Sequence, residues 1–558
     1  MRKLSQLLEN ILPFFIPLFI LTFMSGCFNF VYREVRTFEV FYTTIATTFL
    51  SVFVIALFGE LLPAKMKRIY RIFFYSLTIF LLVAEGFLVI NYKMTITSEI
   101  ISALINTNKY EASGVFNMYF SFVFILKIIG IVFALALSIF LLNRYLGKIK
   151  SLSITGKKLV GSIFFFFLCF GIYLMANNVY NYIRYNNGNN FTFTNVYGRI
   201  VNSCRLVIKN SREVITYMKD NEVSNANTLY ANSDSINVII LIGESFSKYH
   251  TNLYSYEKNT NPLLKERQKK GELIVFNDVV TFSDMTQKVF LDLFCFEGSN
   301  NKRLLPKVFK DAGFGVYLYD NQFIPGEIET LDWYMTNREM SSMLFDKRNN
   351  KLYEKDDELV DKIVIENEKH NLYIVHINGQ HFPYDMRYPE NYAKFKKEEY
   401  PSTYASDQPE ILAQYDNATL YCDYIVNQVI SKFVDSNSIV IYFSDHSEEV
   451  YDYRSYVGHC NASFSKPSLK YQIEVPFMIW MSDKFRNSHA DLYERICEVK
   501  DVPFITNRLS HTILDIVGIK DSIFDPAKSL INEKYDSKSP RIVLKSLNYD
   551  EIKANGFK

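Results

Sequence analysis

Hydrophobic positions divide the chain into two unlike parts. Up to about residue 180 they form five long stretches, Ile11 to Tyr32, Val40 to Leu62, Ile72 to Tyr92, Tyr119 to Leu142 and Leu159 to Tyr180. Each has about the ~20 residues that a helix needs to cross a bilayer. The pattern predicts five transmembrane helices. Alternate connections are basic: Arg2 and Lys3, then Lys65, Lys67, Arg68 and Arg71, then Arg144, Lys148, Lys150, Lys157 and Lys158. The segments Arg33 to Glu39 and Lys93 to Met118 mix both signs. The positive-inside rule then places the N-terminus in the cytoplasm, and an odd number of crossings exports everything after about Asn181. Met24-Ser-Gly-Cys27 faintly resembles a lipoprotein cleavage site, but Phe-Asn-Phe-Val-Tyr after it continues a helix instead of opening a polar tether.

Past residue 180 the rhythm changes. A polar stretch surrounds Val196 to Lys219, whose apolar residues recur at helical spacing. This amphipathic segment suits packing on a soluble domain, or on a bilayer surface through Arg205, Lys209 and Arg212. Short apolar, β-branched runs follow at Asn237 to Gly243, Leu273 to Phe276, Gly315 to Tyr319, Leu372 to Ile377, Ser438 to Phe443 and Val475 to Trp480. They alternate with helical patterns, which indicates an α/β domain with a largely parallel sheet buried on both faces. The expected organisation is a membrane domain over residues 1–182, a bridge over 183–235 and a soluble domain over 236–558.

Composition adds little except exclusions. A net charge of +2 with no long basic run gives no case for nucleic acid. The seven cysteines include no Cys-x-x-Cys pair, so neither a thiolate metal site nor a redox motif is supported. Cys204, Cys295, Cys422, Cys460 and Cys497 lie in the exported part, where one or two disulfides are open to them. Candidate chemistry lies instead where strands end. The run from Asn237 closes in Glu244-Ser245 and that from Ile439 closes in Asp445-His446. Ligands of parallel sheets bind at the carboxyl ends of strands. Carboxylates and an imidazole meeting there suit a divalent ion such as zinc.

Several blocks carry a resemblance. Gly243-Glu-Ser-Phe-Ser-Lys-Tyr-His-Thr-Asn-Leu-Tyr-Ser-Tyr-Glu-Lys-Asn-Thr-Asn-Pro262 closely resembles the start of the catalytic domain in bacterial phosphoethanolamine transferases. Phe309-Lys-Asp-Ala-Gly-Phe, Tyr319-Asp-Asn-Gln322, His376-Ile-Asn-Gly-Gln-His381-Phe-Pro383, Tyr415 to Tyr424 and Tyr442-Phe-Ser-Asp-His-Ser-Glu-Glu-Val-Tyr-Asp452 look like further blocks of that family. The resemblance implies an inner-membrane enzyme: five transmembrane helices and a periplasmic α/β domain of the alkaline phosphatase-like (sulfatase-like) kind. It implies transfer of phosphoethanolamine from phosphatidylethanolamine to lipid A or the lipopolysaccharide core through a phosphothreonine.

The family's zinc ligands carry over onto Glu244, Asp445 and His446, with a threonine as nucleophile and fourth ligand; a second zinc is allowed. That threonine is assigned to Thr286 in Ser283-Asp-Met-Thr-Gln-Lys-Val-Phe, with Thr281 and Ser283 as neighbouring hydroxyls. Read alone, Thr286 would serve equally as a helix N-cap. His381 and His459 match histidines that contact the phosphoryl group or hold a second zinc, and Glu448 matches an acidic residue beside the metal. Thr107 and Glu111 resemble a loop that receives the ethanolamine head group. His376 is assigned a structural role, and His250, His370, His489 and His511, which lack motif context, a surface one. Two departures stand out. Ser447 replaces a glycine common in Asp-His-Gly-Glu, and Asn321 to Tyr334 lacks the basic residue some relatives place there. Two other readings compete: a lipoteichoic acid synthase-like phosphoglycerol transferase, and a non-catalytic protein that keeps the fold. No cysteine opens the Cys-x-Pro-x-Arg sequence that a sulfatase nucleophile requires.

Overall fold

A computed structural model describes residues 2–32, 38–92, 95–97, 100–101, 104, 116, 120, 122–146, 162, 165–166, 168–173, 195–222, 227–231, 234–297, 302–323, 338–401, 403–405, 407–459, 465–544 and 546–558. The chain forms two compact units, Met1–Lys209 and Asn210–Lys558.

The first unit is helical: α1 (Arg2–Tyr32), α2 (Phe38–Glu60), α3 (Ala64–Tyr92) and α4 (Phe122–Leu146). Among the described residues, four helical segments are long and apolar enough to cross a membrane: Asn10–Phe28, Phe41–Glu60, Ala64–Ile90 and Phe122–Tyr145. Most of the fifth expected span, Leu159 to Tyr180, lies outside the described residues, although 168–173 are helical. Inside such a bundle polar groups must be satisfied by the protein itself. Thr22 and Thr78 accordingly donate back to the carbonyls of Leu18 and Phe74. One buried charge needs a stronger partner. Glu85 in α3 is fully buried and takes a bidentate ion pair from Arg199, with Ser25 of α1 donating to the same carboxylate. Arg199 lies in α5 (Val196–Glu222), so the amphipathic segment begins inside the first unit instead of lying free.

The second unit is built on a seven-stranded sheet. Its strands are β1 (Ile236–Gly243), β2 (Leu273–Phe276), β3 (Gly315–Asp320), β4 (Lys347–Arg348), β5 (His370–His376), β6 (Ser438–Ser444) and β9 (Phe477–Met481); a separate hairpin supplies β7 (Glu449–Val450) and β8 (Val457–Gly458). Sheet order is β2-β9-β6-β1-β5-β3-β4. The five strands from β6 to β4 pair in parallel, while β9 runs antiparallel to both β6 and β2. Alternate residues of β1 enter different cores: Val238, Ile240 and Ile242 on one face, Ile239 and Leu241 on the other. That two-sided burial is why these strands read as unbroken apolar runs.

Helix α6 (Pro262–Lys269) and the long α8 (Gln408–Phe433) lie on one face. Asp423 of α8 accepts from the backbone N–H groups of Leu263 and Leu264 at 2.9 and 3.0 Å, so one helix caps another. Burial pushes this carboxyl up to about 7, against the two backbone bonds. His250 and His511, expected at the surface, are 4% and 1% exposed. The reason is pairing across the fold. The Nδ1 of His250 sits 3.0 Å from Asp416 of α8, and its Nε2 3.6 Å from Asp452. Burial opposes the His250 charge, but Asp452 and Asp416 lift its pKa to about 10.

The folded pKa therefore exceeds the ordinary ~6.5 of an unfolded histidine. The stabilisation it gives is complete below about pH 6.5 and is lost as pH rises through about 10. His250→Gln should cost about 3 kcal/mol at pH 7, the scale for breaking a buried pair. Urea unfolding should show that gap close at pH 10, whereas an equal gap at both pH values would contradict the pairing.

Among the described residues the cysteines form no disulfide, and Cys460 lies outside them.

Candidate metal and phosphoryl-transfer site

The site is assembled at the carboxyl ends of β1, β5 and β6. Glu244 follows β1 and is 1% exposed. Ser245 then takes a left-handed backbone, φ 56, a strained conformation for a residue with a Cβ. Tyr415 of α8 holds that turn, its hydroxyl donating to the Ser245 carbonyl at 2.7 Å and accepting from the Ser247 N–H at 2.8 Å. The loop after β5 comes close on the other side. Gly379 has φ 48, and a Cβ there would lie 3.0 Å from the backbone N and O of Glu244, so glycine is required.

Asp445 and His446 follow β6, both fully buried. Asp445 Oδ1 accepts from the N–H groups of Ser245 and His446. Ligand atoms of Glu244, Asp445 and His446 lie within 4.8 Å of one another.

Thr286 is the first residue of α7 (Thr286–Leu293), and the residue at the cap position is Met285. The capping alternative is therefore overturned. Instead of capping, Thr286 Oγ1 stands 3.3 and 3.2 Å from the two Glu244 carboxylate oxygens and 3.2 Å from His446 Nε2. Thr281 and Ser283 are buried, and Thr281 accepts from Thr506. Ser245 also bonds Glu244, at 3.0 Å, but is 2% exposed. Thr286, only half-buried, is the hydroxyl a substrate can reach.

Two carboxylates in one dry site repel. Burial raises the Asp445 carboxyl, and the charge of Glu244 raises it further. Burial would also raise Glu244, but the imidazole of His446 and the His376 contact hold it well below the ordinary range. Asp445 Oδ2 is buried without a hydrogen-bond partner. An orphaned carboxylate oxygen beside a second carboxylate, an imidazole nitrogen and a hydroxyl is a donor set that fits zinc.

Around this centre, Glu448 accepts from the Tyr384 hydroxyl at 2.7 Å and contacts His459 Nδ1 at 2.5 Å. The His459 ring lies 3.8 Å from that of His446. His446, Glu448 and His459 form a second group of candidate metal-ligating atoms. His381 turns its Nδ1 to the Phe382 carbonyl at 2.7 Å, which makes that nitrogen the donor. Thr107 and Glu111 lie outside the described residues, as do 324–334 of the stretch without a basic residue. Ser447 is not in a left-handed conformation, so the position makes no demand for glycine.

Sequence reasoning left out the support of Glu244. Gln322 donates to it at 3.0 Å, and His376, held by Asp320 at 3.0 Å, puts Nε2 3.9 Å away. The signal was present in the quoted blocks, which end at Gln322 and begin at His376.

The sulfatase family model matches residues 236–519, and the chain belongs to that family. Among curated relatives, phosphoethanolamine transferase EptC of Escherichia coli K12 is 28% identical over 323 residues, 53% of each chain. The Kdo(2)-lipid A phosphoethanolamine 7''-transferase of Salmonella typhimurium is 27% identical over 309 residues, 51% of this chain and 52% of the relative. The chain spans about half the length of the curated relatives it matches. The zinc complex of the C-terminal periplasmic domain of EptC from Escherichia coli is 26% identical, covering 59% of this chain and 95% of that one, with TM-score 0.51. Lipooligosaccharide phosphoethanolamine transferase A from Neisseria meningitidis, an integral membrane protein, has TM-score 0.60 at 17% identity over 92% of this chain and 97% of that one, a likeness of fold. The chain therefore combines apolar N-terminal helices with an alkaline phosphatase-like domain.

Proposed function

We propose that the protein is a metal-dependent phosphoethanolamine transferase of the bacterial inner membrane, with a cytoplasmic N-terminus and a periplasmic catalytic domain. It takes phosphoethanolamine from phosphatidylethanolamine and passes it to lipid A or the lipopolysaccharide core. The observation that carries this reading is the Thr286 hydroxyl, poised within 3.3 Å of Glu244 and His446 at the first turn of a helix. Its relatives named as phosphoethanolamine transferases supply the group transferred.

In the first displacement Thr286 Oγ attacks phosphorus, its proton ending on the departing diacylglycerol oxygen. The new O–P bond forms as the bond to the diacylglycerol oxygen breaks. Backbone N–H groups at the start of α7 favour the phosphoryl oxygens. His381 and His459, each with Nδ1 engaged, present Nε2 to the phosphoryl group or the incoming acceptor. In the second displacement an acceptor oxygen attacks the phosphothreonine, the bond from phosphorus to Thr286 Oγ breaks, and the acceptor's proton passes to Thr286. Glu244, Thr286, Asp445 and His446 would hold zinc, whose charge would lower the hydroxyl pKa and offset that of the phosphoryl group. Thr107 and Glu111 are assigned to the ethanolamine ammonium.

Lipid A and core oligosaccharide, compared by mass spectrometry with and without the gene expressed, should differ by one phosphoethanolamine. Identical spectra, from cells that make the protein, would overturn the assignment. Elemental analysis should find zinc; manganese alone at full occupancy would favour phosphoglycerol transfer.

A further inference from the structure

The run Glu449-Val-Tyr-Asp-Tyr-Arg454 after Glu448 has no part in the chemistry above, yet it contains a fully buried carboxylate. We infer that Glu449 is a positioning residue that fixes His459 against the site, an inference that rests on the proposed role of His459. Glu449 belongs to neither group of candidate metal-ligating atoms. Its carboxylate joins one hairpin to a neighbouring helix. Oε1 accepts from the backbone N–H groups of Tyr453 and Arg454 at 3.1 and 2.6 Å, which closes the loop between β7 and β8. Oε2 pairs with Arg454 Nε at 2.5 Å and accepts from Ser468 Oγ at 2.5 Å. Arg454 in turn donates to the carbonyl of Gly458, the residue before His459.

The ladder alone cannot do this. β7 and β8 pair through two residues each, Glu449 opposite Gly458 and Val450 opposite Val457. An isolated hairpin is marginal even at ordinary length. The buried Glu449–Arg454 pair gives the hairpin one geometry. Ser468, in the helix α9 (Lys466–Ile473), ties that geometry to the body of the unit. Within the loop, Asp452 accepts from the Val450 N–H at 3.1 Å and faces the charged His250. These contacts bear on where Gly458 ends, and so on where the His459 ring meets His446 and Glu448.

A double-mutant cycle on the full-length protein in detergent tests this, read as turnover of a small phosphodiester and as zinc content. Glu449→Gln keeps the shape and removes the charge. It should lower kcat about 10- to 100-fold, the range for groups that orient a site residue, with KM and zinc content unchanged. In a His459→Ala background the same substitution should change kcat by less than about twofold, since residues acting through one another are not additive. If Glu449→Gln does not fold, Arg454→Lys enters the same cycle, keeping the charge while losing the guanidinium donor to Gly458. Full multiplicativity of the two substitutions would overturn the inference, because a residue that only stabilises the fold is indifferent to His459. A fully active His459→Ala enzyme would remove the reading beneath it, and the inference with it.

Discussion

Thr286→Ala should reduce transfer about 10⁴-fold or more, the scale on which enzymes lose activity when a covalent nucleophile is removed. Stability should barely change. Thr286 is half-buried, and the cap position of its helix belongs to Met285, so even the ~0.5–2 kcal/mol of a capping hydroxyl is not at stake. Zinc should remain bound, held by the two carboxylates and the imidazole. Thr286→Ser should keep part of the activity, since the attacking oxygen survives. Equal transfer by the alanine variant and the parent would remove Thr286 from the mechanism and direct attention to Ser245, the other hydroxyl on Glu244.

Glu244→Ala or Asp445→Ala should lose metal and activity together, which separates them from Thr286→Ala. Asp445→Asn gives the sharper test. In the metal-free protein it removes a carboxyl whose ionisation burial and Glu244 oppose and leaves the packing intact, so it should be more stable than the parent in the presence of chelator. With zinc the order should reverse. The parent gains about 4 kcal/mol at a thousandfold excess over Kd, while the variant, with one ligand charge gone, gains far less. Thermal melts with and without zinc read both signs. A parent whose melting point ignores zinc would contradict the metal assignment.

How much of this could be read from sequence follows from where the information resides. The strands were legible because both sheet faces are covered, so β1 and β6 are buried at every position and largely apolar. Glu244, Asp445 and His446 were legible because a parallel sheet delivers strand ends to one edge, which made the residues after each run worth naming. Thr286 required the family block. Its helix is only eight residues long, and nothing in its spacing points to Glu244, 42 positions earlier. His250 was misassigned because its burial is entirely tertiary: its partner Asp416 is 166 residues away. Gln322 escaped for the same reason, as a group that acts on Glu244 and not on substrate, while His376 was named only as structural. Ser447 looked like a departure in backbone geometry, and its φ shows that it is not one.

The most direct test of the central claim is a covalent one. Purified protein incubated with phosphatidylethanolamine and no acceptor, then digested and analysed by mass spectrometry, should carry one phosphoethanolamine on the peptide containing Thr286, because the second displacement then has no partner but slow water. Fragmentation should place the group on Thr286 itself. A group on Thr281 or Ser283, or no adduct on any hydroxyl of a zinc-loaded protein, would contradict the account.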